Sequence, residues 1–270
     1  GSNTTADNNT AVGTNALLSN TTGTQNVAVG SAALDALTTG SYTTAIGFGA
    51  LSNQTTAGYN TAIGNYAGLL VTTGTNEVFI GYHAGYSTTT GSHNIGIGVN
   101  ALSTNTTGSE NTAIGTSCLD ANTTGHYNTS VGVASLGANT TGTGNTAYGY
   151  TALDACTTGA YNVAVGYDSV GSLTTASNNT AIGNSGLNNC TTGEGNTCIG
   201  KASGDVITTS SSNTLVGRDT DPSSATSNGH EIAIGANAVG KGQSTGFIYP
   251  NGGGVYQGNN SSTWSQTSDR

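Results

Sequence analysis

Apolar residues recur along this chain at one fixed interval, each directly followed by a glycine. The glycine returns every 17 residues from Gly13 to Gly217, and Val, Ile or, once, Tyr precedes it in all thirteen copies. A fixed short period is typical of stacked repeats, in which each unit buries its apolar residues against its neighbours. No helical periodicity accompanies it. The pattern therefore predicts an all-β parallel β-solenoid, or β-roll, of 17-residue coils without substantial helix.

Within one coil the pattern predicts two short strands joined by turns. Residues 111–114, Asn-Thr-Ala-Ile, represent the first strand, and Ala101-Leu102 represents the second. A strand glycine kept in every copy indicates positive φ or backbone crowding. The recurring Thr-Thr-Gly, as in 106–108, predicts a return turn whose glycine is left-handed. The asparagine that starts each first strand is expected to stack on its equivalents as a hydrogen-bonded ladder.

The two faces of the first strand differ in size. Side chains alternate across a strand, so Thr112 and Ile114 share one face and Ala113 takes the other. A narrow interior suits Ala against Leu, which leaves a Val/Ile column outside over about 60 Å. Such a stripe is rare on monomers, so the pattern favours an intertwined homotrimer that buries it. The competing assignment places Ile and Leu inside and Ala outside, and permits a monomer. The expected trimer-interface residues are Ile46, Ile63, Ile80, Ile97, Ile114, Val131, Val165, Ile182 and Ile199.

The charge distribution narrows the classes of partner. The formal net charge is −9, charged residues make up 6% of the chain, and the first lysine or arginine is Lys201. Nucleic-acid binding depends on neutralising phosphates with basic side chains, so no nucleic-acid partner is expected. No stretch reaches the length of a membrane span, so no membrane insertion is expected. Uncharged glycans remain compatible partners.

The sequence predicts no catalytic, cofactor or metal site. The four histidines have no metal-ligand spacing with cysteine or with each other. Cys156 and Cys190 share a column but lie two coils apart, beyond disulfide reach, so the cysteines are interpreted as small buried residues. No carboxylate pair has the repeat-compatible spacing of a glycosidase. We therefore expect that the chain is not an enzyme.

Tyrosines recur in two columns, one in the turn before the strand and one directly after the strand glycine. Both columns also accept Ser, Asn, Thr and Gly, which a tight core column would resist. Exposed rings stack on sugars, so these columns are candidates for glycan or receptor binding, with packing over turns or between subunits as the alternative. The candidate binding residues are Tyr42, Tyr59, Tyr127 and Tyr161 in the first column and Tyr82, Tyr150 and Tyr167 in the second.

Two parts of the sequence resemble known families. The repeat 179–183, Asn-Thr-Ala-Ile-Gly, and the unit 231–242, Glu-Ile-Ala-Ile-Gly-Ala-Asn-Ala-Val-Gly-Lys-Gly, resemble the left-handed parallel β-roll repeats of trimeric autotransporter adhesin heads. The tail 264–270, Trp-Ser-Gln-Thr-Ser-Asp-Arg, resembles the junction before the self-cleaving intramolecular chaperone of endosialidase-type phage tail spikes and fibres. The resemblance implies a homotrimeric, surface-projecting fibre, assembled by a chaperone domain that residues 1–270 do not include.

Three segments and one function follow as expectations. A solenoid shaft is expected at 3–220, already within the array at its start, with an adhesin-like terminal repeat at 221–245. A C-terminal β module is expected at 246–270, its short strands wrapping partner chains. The predicted function is an extracellular structural and adhesive fibre segment, from a phage tail fibre or a bacterial surface adhesin, that displays a host- or glycan-binding surface. The alternative is an ice-binding β-solenoid, because regular Thr columns on an uncharged solenoid can order water.

Overall fold

The fold is an all-β parallel β-solenoid. The computed structural model describes residues 5–226, 229–250, 254–258, 263 and 265–267. Every regular element within these ranges is a β-strand, and no helix occurs there. The chain forms two compact units, Gly1–Thr141 and Gly142–Arg270.

The first unit is a ladder of eight three-residue strands, each one coil further along the chain. Neighbouring strands pair in parallel, and equivalent residues are partners, as Thr112 with Thr129 and Ile114 with Val131. The register repeats at every step, so each repeat position becomes a column along the ladder. The strands are β1 (Thr10–Val12), β2 (Val27–Val29), β3 (Thr44–Ile46), β4 (Thr61–Ile63), β5 (Val78–Ile80), β6 (Ile95–Ile97), β7 (Thr112–Ile114) and β8 (Thr129–Val131).

The second unit continues this pattern and then reverses direction. Its strands are β9 (Thr146–Tyr148), β10 (Val163–Val165), β11 (Thr180–Ile182), β12 (Thr197–Ile199), β13 (Thr214–Val216), β14 (Ile232–Ile234), β15 (Gly246–Ile248), β16 (Gly254–Gln257) and β17 (Ser265–Thr267). Strand β15 still pairs in parallel with β14, so the parallel ladder extends past residue 245. Strands β16 and β17 are antiparallel. Trp264 and Ser268–Arg270, which carry most of the tail resemblance, lie outside the described residues.

Each coil contains one parallel strand, so the predicted second strand at Ala101-Leu102 is wrong. This segment is a run of tight turns, in which Asn100 and Leu102 adopt positive φ values of 57° and 55°. The backbone NH of Ala101 bonds within the turn to Gly98, whereas the NH of Leu102 bonds to the carbonyl of Cys118 in the next coil. Turn and inter-coil hydrogen bonds thus alternate where the sequence predicts a strand.

Glycine makes room at two points where coils touch. Gly115 has φ 140°, and a Cβ there would lie 2.7 Å from the carbonyl carbon of Gly132, so both causes predicted for this column apply. The left-handed conformation predicted for the Thr-Thr-Gly turn is wrong, because Gly108 is not among the positive-φ residues. Gly108 is needed for space instead, since its Cβ would meet the carbonyl oxygen of Gly125 and lie 2.8 Å from the Asn122 amide nitrogen.

Alanine and leucine fill the coil interior. Ala113, Ala101 and Leu102 are fully buried, whereas Ile114 is 39% exposed. The predicted orientation of the strand is therefore confirmed, and the competing assignment with Ile inside and Ala outside is wrong.

One interior position shows how the columns compensate for each other in volume. Phe79 replaces the strand alanine and is fully buried. Gly85 replaces the leucine of the same coil, where a Cβ would lie 2.5 Å from Cδ1 of Phe79. Gly96 replaces the strand alanine of the next coil, 3.1 Å from the same ring atom. The ring therefore occupies space that Leu and Ala side chains fill in other coils.

This compensation predicts non-additive stability changes. Phe79→Ala should cost about 3–5 kcal/mol by leaving a cavity. Gly85→Leu restores the usual residue of its column but should cost about 1–3 kcal/mol by overpacking. The double variant should lose less free energy of unfolding than the sum of the two, because the leucine fills the cavity. Chemical denaturation of the four proteins measures this coupling, and additive losses would contradict it.

Candidate functional site

The outer face of the strand ladder exposes two columns of β-branched side chains. In β7 these are Thr112, which is half-buried, and Ile114, which is exposed. Of the predicted interface residues, Ile46, Ile63, Ile114, Ile182 and Ile199 are exposed, and Ile80, Ile97, Val131 and Val165 are half-buried. In the second unit Tyr148 takes this position and is 59% exposed. Each unit therefore presents an apolar strip, and its role as an interface remains a prediction.

A buried asparagine ladder holds the strands that carry this strip. The side-chain amide of Asn111 donates to Oδ1 of Asn94 at 3.2 Å and to the carbonyl of Gly125 at 2.9 Å. The backbone NH of Asn111 donates to the same Oδ1 at 3.1 Å. The predicted ladder is thus confirmed, and it also ties each strand start to the Thr-Thr-Gly turn. Because all these donors and acceptors are buried, the loss of one of these bonds costs more stability than the loss of an exposed bond.

A second asparagine ladder was missed by the sequence reasoning. Asn105, Asn122 and Asn139 are buried, and their amides bond in series at 2.8 and 2.9 Å. Their 17-residue spacing, directly before Thr-Thr-Gly, was a visible signal.

Glu77 interrupts the first ladder with a buried acid. Its backbone NH donates to Oδ1 of Asn60, and its two carboxyl oxygens accept from the backbone and side-chain NH groups of Asn94. Burial raises the pKa of Glu77 to about 8, although the hydrogen bonds from Asn94 partly lower it. Burying the ionised form is unfavourable, so the native chain favours the neutral acid.

The shifted pKa predicts a pH dependence of stability. Between pH 4.5 and about 8 the native state retains a proton that the unfolded state releases, so the free energy of unfolding should fall as pH rises. The loss should be on the order of a few kcal/mol. Glu77→Asn restores the neutral ladder residue and should remove this component.

Denaturation at pH 5 and pH 8 tests the effect against a matched control. Glu110→Asn removes an exposed glutamate and should leave the pH dependence of the parent in place. An unchanged pH dependence in Glu77→Asn would show that the buried acid does not produce it.

The predicted aromatic residues form separate exposed groups rather than one site. The rings of Tyr42 and Tyr59 stack with centroids 5.1 Å apart, and those of Tyr150 and Tyr167 stack at 5.4 Å. Tyr161 lies over Gly144, whose Cβ would be 2.7 Å from its ring. All seven predicted residues are exposed, and their binding role remains a prediction.

The first unit also contains an aromatic cluster that spans several columns. His83 lies 3.9 Å from Tyr82, 4.6 Å from Tyr86 and 5.6 Å from Tyr66 between ring centroids. Phe48 packs edge-on against Tyr66 at 5.1 Å. The sequence prediction grouped aromatic residues only within single columns. The contacts of Tyr66, His83 and Tyr86, which lie in different columns, were therefore not predicted. Aromatic residues at different positions of successive repeats were the available signal.

The four cysteines are buried, and no metal-binding cluster forms in the part of the chain that the structure describes. Cys118, Cys156, Cys190 and Cys198 are free and buried, as interpreted from the sequence. Burial raises the pKa of Cys156 and of Cys190 to about 11, which keeps both thiols protonated and unreactive. No group of three or more His, Cys, Asp or Glu residues there could hold a metal ion. None of the described residues forms the long apolar helix needed to cross a membrane.

Comparison with known proteins identifies no relative, so the proposed function rests on the geometry described above. No family model, curated protein or solved structure matches the chain. The described residues offer an apolar strip and exposed aromatic rings, which are suited to association and binding.

Proposed function

We propose that this chain is a structural and adhesive segment of an extracellular fibre, in a phage tail or on a bacterial surface. It assembles as a homotrimer through the outer strand face and presents its aromatic rings to a host glycan or other receptor. One observation carries the proposal: the coil interior is already filled by Ala and Leu, yet the Ile/Val column remains on the surface.

Burial of this column is the main driving force for assembly. Ile46, Ile63 and Ile114 are between 37% and 39% exposed, and covering apolar area gains about 25 cal/mol per Å². Because the column repeats, the same small gain recurs at each coil. A closed rotational assembly lets every copy use this one face. Three copies, rather than two, are proposed from the resemblance to trimeric adhesins and tail spikes.

Low charge supports both association and neutral partners. The strip contains no charged residue, so packed copies bring no like charges together there. The exposed tyrosines offer ring faces and hydroxyl groups, which suit uncharged glycans. Binding of this kind depends weakly on salt.

The ice-binding alternative receives less support from the threonine geometry. In the pair 106–107, Oγ1 of Thr106 donates to the carbonyl of Thr123 at 2.9 Å, and only Thr107 is exposed. The same bond recurs from Thr123 to Thr140. One of the two columns is therefore engaged in coil stacking instead of facing water. Thermal hysteresis of the purified chain tests this alternative directly.

The proposed interface predicts a selective effect of one charge. Ile114→Asp places a carboxylate from each copy in an apolar contact, which costs several kcal/mol per unpaired charge. The variant should dissociate or aggregate, as followed by sedimentation velocity. Thr124→Asp introduces the same charge at an exposed turn position of the next coil and should leave assembly unchanged. If Ile114→Asp sediments as the parent assembly does, the interface assignment fails.

A further inference from the structure

An open surface depression of about 720 Å³, called the cavity below, lies near the end of the parallel ladder in the second unit. Its lining residues are Arg218, Ala236, Asn237, Tyr249 and Pro250. The volume falls within the roughly 300–1,000 Å³ that is typical of small-molecule sites. Arg218 and Ala236 occupy the column directly after the strand glycine, in which other coils carry Tyr82, Tyr150 and Tyr167.

Two departures from the repeat create the cavity. The position after the strand glycine is a large side chain at Arg218 but alanine at Ala236. One coil later, the backbone NH of Tyr249 bonds to Ile234, just as that of Gly235 bonds to Val216. Tyr249 thus occupies the place of a strand glycine and brings a ring where other coils have no side chain. A small residue beside an added ring leaves an open, walled space.

The polar groups of the cavity carry no excess charge. The guanidinium of Arg218 forms an ion pair with the carboxylate of Asp219, so its charge is compensated. Burial raises the pKa of Asp221, and the negative charges of Asp205 and Asp219 raise it further. Negative charge is therefore concentrated close to Asp219. An anionic ligand is therefore disfavoured.

The remaining hydrogen-bonding capacity suits hydroxyl groups. Asn237 is exposed, and its side-chain amide carries both donors and an acceptor. Arg218 has five guanidinium N–H donors, of which the ion pair uses one. Tyr249 is half-buried and adds a ring. Amide, guanidinium and aromatic ring together can bond sugar hydroxyls and cover the apolar face of a pyranose.

We propose that this cavity binds a neutral saccharide. The inference deepens the proposed adhesive function, because it assigns glycan binding to one defined site and one ligand class. It requires no second copy of the chain, so it does not depend on the proposed trimer.

Saturation-transfer NMR on the full chain tests the cavity. The probes are cellohexaose, maltohexaose, mannohexaose and chitohexaose, with hexagalacturonate as the acidic comparison, each at roughly millimolar concentration. We expect at least one neutral hexasaccharide to bind, with affinity nearly independent of salt. Ala236→Trp fills the cavity at an exposed position and should weaken binding by about tenfold or more. Asn237→Ala, which removes the side-chain amide, should weaken binding as well.

Thr192→Trp is the matched control, since it adds the same ring as Ala236→Trp at an exposed turn position of the same unit outside the cavity. It should retain binding, and sedimentation should show the same assembly for all variants. Binding that is lost in Tyr161→Ala but retained in Ala236→Trp would overturn the cavity while supporting the tyrosine columns. Failure of every neutral probe, or preference for the acidic one, would overturn the proposal and leave the interface test unaffected.

Discussion

Close contact between the backbones of successive coils is the constraint on which this structure depends. At the strand glycine, an added Cβ would lie 2.7 Å from the neighbouring carbonyl carbon at Gly64 and Gly115 alike, and 2.5 Å from it at Gly200. A second contact of this kind occurs at the Thr-Thr-Gly turn. In three coils Ala57, Ala176 or Ser210 replaces the glycine of that turn, so the strand glycine is the contact that is kept from Gly13 to Gly217. A change of length or register would drive side chains into backbone there, so the period is strict and each residue acts as a member of a column.

The stacking of equivalent residues in columns accounts both for the stability of the coil interior and for the exposed apolar strip. Most buried asparagines bond to their own equivalents, so these polar groups are satisfied by repetition, whereas Oδ1 of Asn20, whose equivalent in the next coil is Leu37, has no hydrogen-bond partner. Interior volume is conserved locally, as Phe79 with Gly85 and Gly96 shows. The same alternation that turns Ala113 inward turns Ile114 outward, and a coil with a single strand has no layer to cover it. The exposed apolar strip is thus a direct result of the way the interior closes.

Much of the fold was predictable because it is repeated, although one repeated feature, the second asparagine ladder, was missed. The period, the strand, its inward face and the first asparagine ladder follow from columns visible in the sequence. The second strand was wrongly predicted because Ala-Leu fits a strand pattern, and positive φ at a leucine such as Leu102 has no sequence signature. The cluster around His83 crosses columns. The cavity beside Tyr249 forms where the period fails, so the column after the strand glycine does not by itself reveal it.

The central claim is that the outer strand face is closed by other copies of the chain. The molar mass of the unmodified protein, measured by light scattering during gel filtration at micromolar concentration, tests it most directly. The account predicts a single species of three times the 26.5 kDa chain mass. A stable species of 26.5 kDa, with the Ile/Val strip open to water, would contradict it.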